Sequence, residues 1–228
     1  MRYEKIVKGI FLSRPNRFVA FCEIDGQTYR CHVKNTGRCR ELLIPGAVVW
    51  LQDRRGSGGS TDFSLIAVQK GDKLINMDSQ APNAVVGEAL RSGTLVLPGF
   101  ADPDVVKGEH TFGASRLDFY VKKGEREALV EVKGVTLETH GVAKFPDAPT
   151  ERGIKHINEL AKADGYDRFV LFVIQMKGLR YFTPNAQTHP AFAEALKAAK
   201  KAGVQVLAFD CDVTPDTLTL GSAVPIKL

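Results

Sequence analysis

The sequence has little of what marks secreted, membrane or zinc-binding proteins. Its first residues, MRYEKIVKGIFLSRPNRF, contain neither the apolar stretch of a signal peptide nor a small-residue cleavage site. Its longest apolar runs, such as residues 169–176, are far too short to cross a bilayer. We therefore expect a cytoplasmic protein that has no membrane partner.

Cysteine and histidine are too scattered for a structural zinc site. The four cysteines form no CxxC pair, and the five histidines are dispersed along the chain. In a reducing compartment the simplest expectation is four free thiols, at Cys22, Cys31, Cys39 and Cys211. The chain also lacks internal repeats, and its only low-complexity segment is the GSGG loop within residues 54–61.

Positive charge is concentrated in the first third of the chain. Residues 1–80 contain 13 Lys and Arg against 8 Asp and Glu, whereas residues 81–228 contain 18 of each. Basic surfaces attract polyanions and release the counterions condensed on them. Candidate nucleic-acid contacts in this region are Arg30, Lys34, Arg38 and Arg40. The alternative is a solvated surface that is basic without a function.

The first 80 residues alternate short β-rich segments with turn signals. Strand character is found at residues 6–12, 17–24, 27–33, 47–52 and 63–69. Asp25-Gly26, Asn35-Thr36-Gly37 and Pro45-Gly46 separate several of them, since Gly and Asn tolerate positive φ. Five strands and one short helical stretch near residues 40–43 predict a small β-barrel of the OB type. An SH3-like barrel stays open as an alternative.

Barrels of this kind bind nucleic acids through basic faces on which exposed aromatic rings stack against bases. The candidates for such stacking are Phe18, Tyr29 and Trp50. The ordinary place of an aromatic ring in a strand is the core, and this alternative stays open for each of them.

After residue 82 the pattern changes to alternating helices and strands. Helices are expected at residues 83–91, 150–163 and 191–202, with Thr150 as the N-cap of the second. Strands are expected at residues 111–121, 128–133, 169–175 and 204–209. This order predicts an α/β domain with a partly parallel sheet. We therefore divide the chain into a barrel domain at residues 1–82 and an α/β domain at residues 83–228.

Two charged side chains on the strand at residues 128–133 raise the main functional question. Glu131 and Lys133 share a face because side chains alternate along a strand, and charges are seldom buried without a partner. If the preceding strand pairs antiparallel, Asp118 lies beside Glu131 at the sheet edge. Two close carboxylates repel each other unless a cation lies between them, and oxygen ligands suit Mg²⁺ or Mn²⁺. Such an ion would polarise a phosphate and activate water, and Lys133 could position that water or stabilise developing charge.

Other charged residues could contribute to the same site. A third acid could be Glu88 on the first helix or Glu109 one strand earlier, and both stay open. On the helix at residues 150–163, Arg152, Lys155 and His156 fall on one polar face that could contact phosphates. His156 is also a candidate proton carrier, and the alternative for all three is an ordinary solvated face.

This constellation resembles the site of PD-(D/E)xK nucleases. Asp118, Glu131 and Lys133 take the roles of D, E and K. The pattern departs from the motif because Leu117, and not proline, precedes the aspartate. Pro146-Asp147 matches the dipeptide but follows the E-x-K, and we interpret it as a turn.

Longer motifs along nearly the whole chain resemble the sugar fermentation stimulation protein A (SfsA) family. They are NRF at 16–18, NTGR at 35–38, APN at 81–83, SRLDF at 115–119, EVKGVTLE at 131–138 and FPDAPTERGIKHINEL at 145–160. The resemblance implies an OB-like domain joined to a PD-(D/E)xK nuclease-like domain. It also implies DNA binding without marked sequence preference and a link to the regulation of sugar (maltose) metabolism. Two departures, Cys39 after NTGR and Gly134 after EVK, leave the candidate ligands untouched.

Three functions are compatible with the sequence. The first is a DNA-binding protein with a phosphodiesterase site that uses Mg²⁺ or Mn²⁺. The second is a DNA-binding or regulatory protein on a nuclease scaffold without catalysis. The third is a binder of a small anionic metabolite, for which DNA binding would depend only weakly on salt. No helix-turn-helix or zinc-finger pattern is present, so sequence-specific readout is not expected.

Overall fold

The computed structural model describes residues 1–35 and 37–228. One residue of the turn predicted at Asn35-Thr36-Gly37, namely Thr36, lies outside these described residues. Within them, the first third of the chain forms a barrel and the remainder forms a mixed sheet flanked by helices. None of the helices in these ranges combines the length and the apolar character needed to cross a membrane. All four cysteines are buried free thiols.

Five strands close into a barrel in the first third of the chain. They are β1 (Ile6–Asn16), β2 (Val19–Ile24), β3 (Gln27–Val33), β4 (Val48–Asp53) and β5 (Phe63–Lys70). Antiparallel pairs join them in the order β3-β2-β1-β4-β5, and a parallel pair between β3 and β5 closes the sheet on itself. Buried side chains such as Phe11, Cys31 and Leu65 fill the interior. The small barrel predicted from the sequence is confirmed.

Turn chemistry sets the register of the β2–β3 hairpin. Asp25 and Gly26 both have positive φ, at 49° and 75°, and turns of this kind match the twist of paired strands. The two strands pair from Ile24↔Gln27 to Val19↔His32. The prediction of a helical stretch near residues 40–43 is wrong, because residues 40–42 form turns. The residue before Pro45 is disfavoured in the α conformation, which prevents a longer helix here.

A short strand and a helix lead into the second domain. The strand β6 (Lys73–Asn76) pairs with β5, and the sequence pattern does not predict it. The helix α1 (Ala81–Ser92) follows, and it ends at Gly93, whose φ of 73° suits a left-handed cap.

The second domain contains nine strands and two further helices among the described residues. They are β7 (Val105–Phe112), β8 (Ser115–Lys123), β9 (Arg126–Val135), β10 (Leu137–Thr139), β11 (Val142–Phe145), α2 (Glu151–Ala161), β12 (Asp167–Ile174), β13 (Tyr181–Pro184), α3 (Pro190–Lys201), β14 (Gln205–Val213) and β15 (Leu218–Ala223). The main sheet has the order β15-β14-β12-β9-β8-β7. Its three central strands are parallel and its outer strands antiparallel, so the sheet is mixed, as predicted.

The central strand β12 is buried on both faces. Phe169 and Leu171 belong to the apolar cluster that includes α1. Val170 and Phe172 belong to the cluster that includes α2 and α3. The apolar run in the sequence therefore indicates a central strand correctly, because helices cover both sides of the sheet.

One strand of this domain is predicted wrongly. Residues 111–121 do not form a single strand, because a hairpin turn at Gly113 (φ 54°) separates β7 from β8. The small sheet β10-β11-β13 is not predicted either. Its strands are only three or four residues long, which is too short for a clear alternation of apolar and polar positions.

The start of α2 is confirmed. The Thr150 hydroxyl accepts a hydrogen bond from the Gly153 N–H at 3.0 Å, as expected of an N-cap. Ile157 and Leu160 are buried on the face that packs against the sheet. The helix ends at Ala161, two residues earlier than predicted.

Candidate active site and basic cleft

Asp118 and Glu131 come together where two antiparallel strands separate. The ladder between β8 and β9 runs from Lys123↔Arg126 to Phe119↔Val130 and then stops. Beyond it the Val132 N–H donates a hydrogen bond to Asp118 Oδ2 at 2.7 Å. A side-chain carboxylate therefore occupies the position that a backbone carbonyl would take in a continuous ladder.

The antiparallel pairing is as expected, but the predicted position at the sheet edge is wrong. Both β8 and β9 have neighbours on each side, namely β7 and β12. The site therefore lies in the interior of the sheet, at the point where the pairing of β8 with β9 ends, before Phe119 in β8 and after Val130 in β9.

The two oxygens of Glu131 have different surroundings. Glu131 Oε1 accepts hydrogen bonds from Lys133 Nζ at 2.5 Å and from His156 Nδ1 at 2.6 Å. Glu131 Oε2 is buried and has no partner among the described residues. The residue is only 2% exposed. A buried acceptor without a partner costs about 1–3 kcal/mol, so this oxygen is suited to a ligand that the protein itself does not supply.

His156 orients Glu131 from α2. Arg152 Nε donates to His156 Nε2 at 3.4 Å, which leaves the imidazole proton on Nδ1, where it is donated to Glu131. The sequence groups His156 with an exposed face, whereas the structure buries its ring against the carboxylate. Arg152 stays exposed, as does Lys155, whose Nζ donates to the Ala114 carbonyl at 3.2 Å.

A residue that the sequence motif does not predict, Asn83, supports Asp118. Asn83, near the start of α1, donates from Nδ2 to Asp118 Oδ1 at 2.7 Å. Burial and the nearby charge of Glu131 raise the pKa of Asp118 above its ordinary range. The APN motif at residues 81–83 could have pointed to this role, because its asparagine is not among the buried residues of α1.

The structure does not bring either proposed third acid to this pair. Glu88 Oε2 accepts from the N-terminal amine of Met1 at 2.7 Å. Glu109 is exposed and lies 3.5 Å from Arg116 Nη1. Among residues 1–35 and 37–228, no three side chains of His, Cys, Asp or Glu are grouped as metal ligands.

The donors nevertheless fit a hard divalent cation. Mg²⁺ is commonly held by one or two carboxylates, with waters and substrate phosphates completing its coordination. Asp118 and Glu131 supply two carboxylates, and Glu131 Oε2 has no competing partner in the described structure. Two neighbouring carboxylates are also less costly when a cation lies between them.

A basic cleft of about 1030 Å³ lies between the two domains. Arg17, Arg38 and Arg40 line it with exposed side chains, and Asp147 is the only carboxylate among its described lining residues. Gly134, the residue after Lys133, also lines it, so the cleft reaches the strand that carries the candidate site. Arg17 was not among the predicted contacts, although NRF at residues 16–18 was a motif.

Arg14 also lines this cleft, but its guanidinium group is used internally. Its Nη1 and Nη2 atoms donate to the carbonyls of Arg17, Asn35, Gly37 and Arg38 at 2.7–2.9 Å. The loop that carries Arg38 is therefore fixed from within. Asp147 Oδ2, in the second domain, accepts a hydrogen bond from the Arg38 N–H at 2.9 Å. The NTGR and FPDA motifs thus form one contact between the domains.

The other predicted basic contacts have different surroundings. Lys34 Nζ pairs with Asp78 Oδ2 at 2.5 Å, and Asp78 is almost fully buried. This pair lies in a network with Tyr3, Asn76 and Gln175, and links the barrel to the second domain. Arg30 lies outside the cleft, in a separate pocket on the barrel.

The aromatic candidates also separate in the structure. Tyr29 packs edge-on against Phe63, with ring centroids 4.9 Å apart. Trp50 is half-buried on β4. Phe18 is 53% exposed at the tip of the β1–β2 hairpin.

Fold and site together define a class of protein: an OB barrel joined to a mixed-sheet domain that is flanked by a few helices. The chain belongs to the sugar fermentation stimulation protein (SfsA) family. The family description "SfsA N-terminal OB domain" matches residues 12–77. The description "Sugar fermentation stimulation protein RE domain" matches residues 80–217.

Relatives align over the whole chain. A sugar fermentation stimulation protein homolog of Desulfitobacterium hafniense is 55% identical, covering 100% of this chain and 99% of the relative. The homolog of Clostridium beijerinckii is 50% identical and covers 100% of both chains. The solved structure of Pyrococcus furiosus SfsA in complex with Ca²⁺ is 28% identical, with a TM-score of 0.89 over 100% of this chain and 98% of the other.

Proposed function

We propose that the protein binds DNA without sequence preference and cleaves its phosphodiester backbone with Mg²⁺ or Mn²⁺. The observation that carries this proposal is Glu131 Oε2, which is buried beside Asp118 and has no partner in the described part of the chain, on a strand that a cleft lined with arginines reaches. Buried carboxylate oxygens without partners are rare, and a cleft with several arginines and one carboxylate suits a phosphate backbone.

The divalent ion would be held by Asp118 and Glu131. When bound, such an ion polarises a phosphate oxygen and lowers the pKa of a coordinated water. The Pyrococcus furiosus relative was solved in complex with Ca²⁺, which supports a divalent cation as a ligand of this fold. His156 and Asn83 keep the two carboxylates oriented through their hydrogen bonds.

Lys133 places a positive charge at the same point. Its ammonium group is held against Glu131 Oε1 and its side chain is only 14% exposed. Water screens such a charge little, so it can stabilise the negative charge that accumulates on a phosphate during cleavage. Arg17, Arg38 and Arg40 would bind the phosphates that lead to this point.

A cleavage assay tests the proposal. Labelled single-stranded, duplex and flap DNA and RNA are incubated with the protein in Mg²⁺, Mn²⁺ or EDTA. We expect metal-dependent cleavage of DNA that Glu131→Gln and Lys133→Ala abolish. Glu125→Gln, in the exposed turn between β8 and β9, is the matched control and should cleave as the wild type does.

One observation favours a second candidate, which is DNA binding without cleavage. Both oxygens of Asp118 already accept hydrogen bonds, from Asn83 and from the Val132 N–H. Tight binding in all metals with no cleavage would support this second function. Binding that depends little on salt would contradict both and favour a small anionic ligand instead.

A further inference from the structure

A second pocket lies on the barrel across the β1–β2 hairpin from the cleft. Asn16 and Arg17 line the cleft, and the next two residues, Phe18 and Val19, line this pocket. Its volume is about 370 Å³, within the range of sites for small ligands. A nucleic acid strand lying in the cleft would therefore meet this pocket once it passes over the hairpin tip.

The pocket floor is a row of neighbours on three strands. Val19 on β2 pairs with His32 on β3, and His32 pairs with Ser64 on β5. Arg30 lies two residues before His32 and so shares its face of the strand. Ser64 is only 4% exposed and contributes a hydroxyl-bearing side chain to the lining of the pocket.

The walls combine an aromatic ring with positive charge. Phe18 forms one wall, and Arg54 with the Ser- and Gly-rich segment after it forms the other. Arg30 Nη1 donates to the Ser60 carbonyl at 3.1 Å, which ties this segment to β3. No carboxylate is among the lining residues that the structure describes.

Exposure of Phe18 is the feature that ordinary folding does not explain. It is one of four large apolar side chains exposed by more than 40% in the described chain, and among these four it alone borders a pocket with two arginines. A flat apolar ring beside cationic side chains suits a ligand with a flat aromatic face and a negative charge. An unpaired nucleotide has both.

We infer that this pocket binds one unpaired base of a nucleic acid strand, stacked on Phe18, with Arg30 and Arg54 contacting its phosphates. The inference rests on the proposed function and adds that only single-stranded substrates use this pocket. Bases of a duplex are stacked on one another and cannot offer a face to Phe18. Duplex DNA should therefore use the cleft arginines but not this pocket.

Equilibrium binding in EDTA tests the inference without involving cleavage. Fluorescence anisotropy is measured with labelled single-stranded DNA, single-stranded RNA and duplex DNA of one length at fixed salt. We expect Phe18→Ala to weaken single-strand binding about tenfold and to leave duplex binding unchanged. Phe18→Trp should restore single-strand binding, since it keeps an aromatic face. The two single-stranded arms show whether DNA or RNA is the preferred source.

Val96→Ala provides the control, because Val96 is also 53% exposed but lies in the second domain. Circular dichroism checks that each variant is folded. Unchanged single-strand binding by Phe18→Ala, or equal losses for single strands and duplex, would overturn the pocket while leaving the proposed function standing. No binding of any nucleic acid by the wild-type protein would overturn both.

Discussion

Asp118 and Glu131 are neighbours whose oxygens are used differently. Asp118 accepts one hydrogen bond on each oxygen, whereas Glu131 accepts two on Oε1 and none on Oε2 among the described residues. The side chains that orient them, Asn83 and His156, come from two different helices. The site is therefore assembled by α1 and α2 around a pair of strands, and its geometry depends on contacts that lie outside the D-E-K triplet.

Asn83→Ala should weaken metal binding without removing either carboxylate. The Asp118 Oδ1 atom would lose its side-chain donor, and partners of this kind typically contribute 10–100-fold to metal affinity. We expect Mn²⁺ affinity to fall about tenfold by calorimetry, and cleavage to fall with it. Glu88→Ala on the same helix should change neither, because Glu88 pairs with the N-terminal amine. A loss with Glu88→Ala and none with Asn83→Ala would contradict the assignment.

Glu41→Gln should stabilise the protein at neutral pH. Burial, and to a lesser extent the charge of Asp147, raise the pKa of Glu41, so the folded state disfavours its ionised form. The ionised Glu41 therefore lowers the free energy of unfolding at pH values above its folded-state pKa. This loss vanishes as pH falls below the ordinary carboxyl pKa, where Glu41 is protonated in both the folded and the unfolded state. We expect a gain in the free energy of unfolding of about 0.5–1 kcal/mol at pH 7 and none near pH 3.

Denaturant unfolding across this pH range measures the effect. Glu4→Gln is the control, since Glu4 is exposed. A Glu41→Gln variant that is less stable than the wild type at pH 7 would show that the ionised carboxylate is stabilised in the folded state.

Elements with strong local signals could be predicted from the sequence. The hairpin turn Asp25-Gly26, the Thr150 cap and the apolar strand β12 each depend on a few adjacent residues. The break between β7 and β8 could not be placed, since Gly113 lies within a continuous β-rich pattern. The burial of His156 could not be predicted either. A histidine that faces a buried carboxylate and one that faces solvent can have the same spacing along a helix.

Gly9→Ala should destabilise the barrel. A Cβ atom at Gly9 in β1 would lie 2.7 Å from the Glu23 carbonyl oxygen and 2.9 Å from Leu51 Cδ1. Overpacking of this kind typically costs 1–3 kcal/mol, and the carbonyl belongs to a paired strand that has little freedom to move. We expect the free energy of unfolding to fall by about 2 kcal/mol.

Gly108→Ala is the matched control for this change. Gly108 also lies in a strand, β7, and its nearest neighbour to a new Cβ would be the Asp118 carbonyl at 4.0 Å. Thermal unfolding followed by circular dichroism should show little change for Gly108→Ala. Equal losses for both variants would mean that the contacts at Gly9 relax, and that strand glycines act here only through backbone entropy.

Across the whole molecule, sequence motifs of the two domains meet. Asp147 accepts a hydrogen bond from the Arg38 N–H. Asp78, which pairs with Lys34, also accepts a hydrogen bond on its carbonyl from Gln175 in the second domain. Strand alternation predicted that Glu131 and Lys133 share a face, and antiparallel pairing of β8 with β9 predicted that Asp118 lies beside Glu131. The division of the basic residues into cleft, pocket and internal pair was not predictable, because it depends on how the domains pack and not on spacing along the chain.

The basic residues should therefore differ in what their loss does to DNA binding. Arg40→Ala removes an exposed cleft charge and should reduce the slope of log affinity against log salt by about 1, with stability unchanged. Lys34→Ala should leave the slope unchanged and lower the free energy of unfolding by about 2 kcal/mol, since it leaves the buried Asp78 carboxylate without its cation. Anisotropy titrations at four salt concentrations and denaturant unfolding separate the two effects. A reduced slope for Lys34→Ala would place this ammonium on the DNA instead of between the domains.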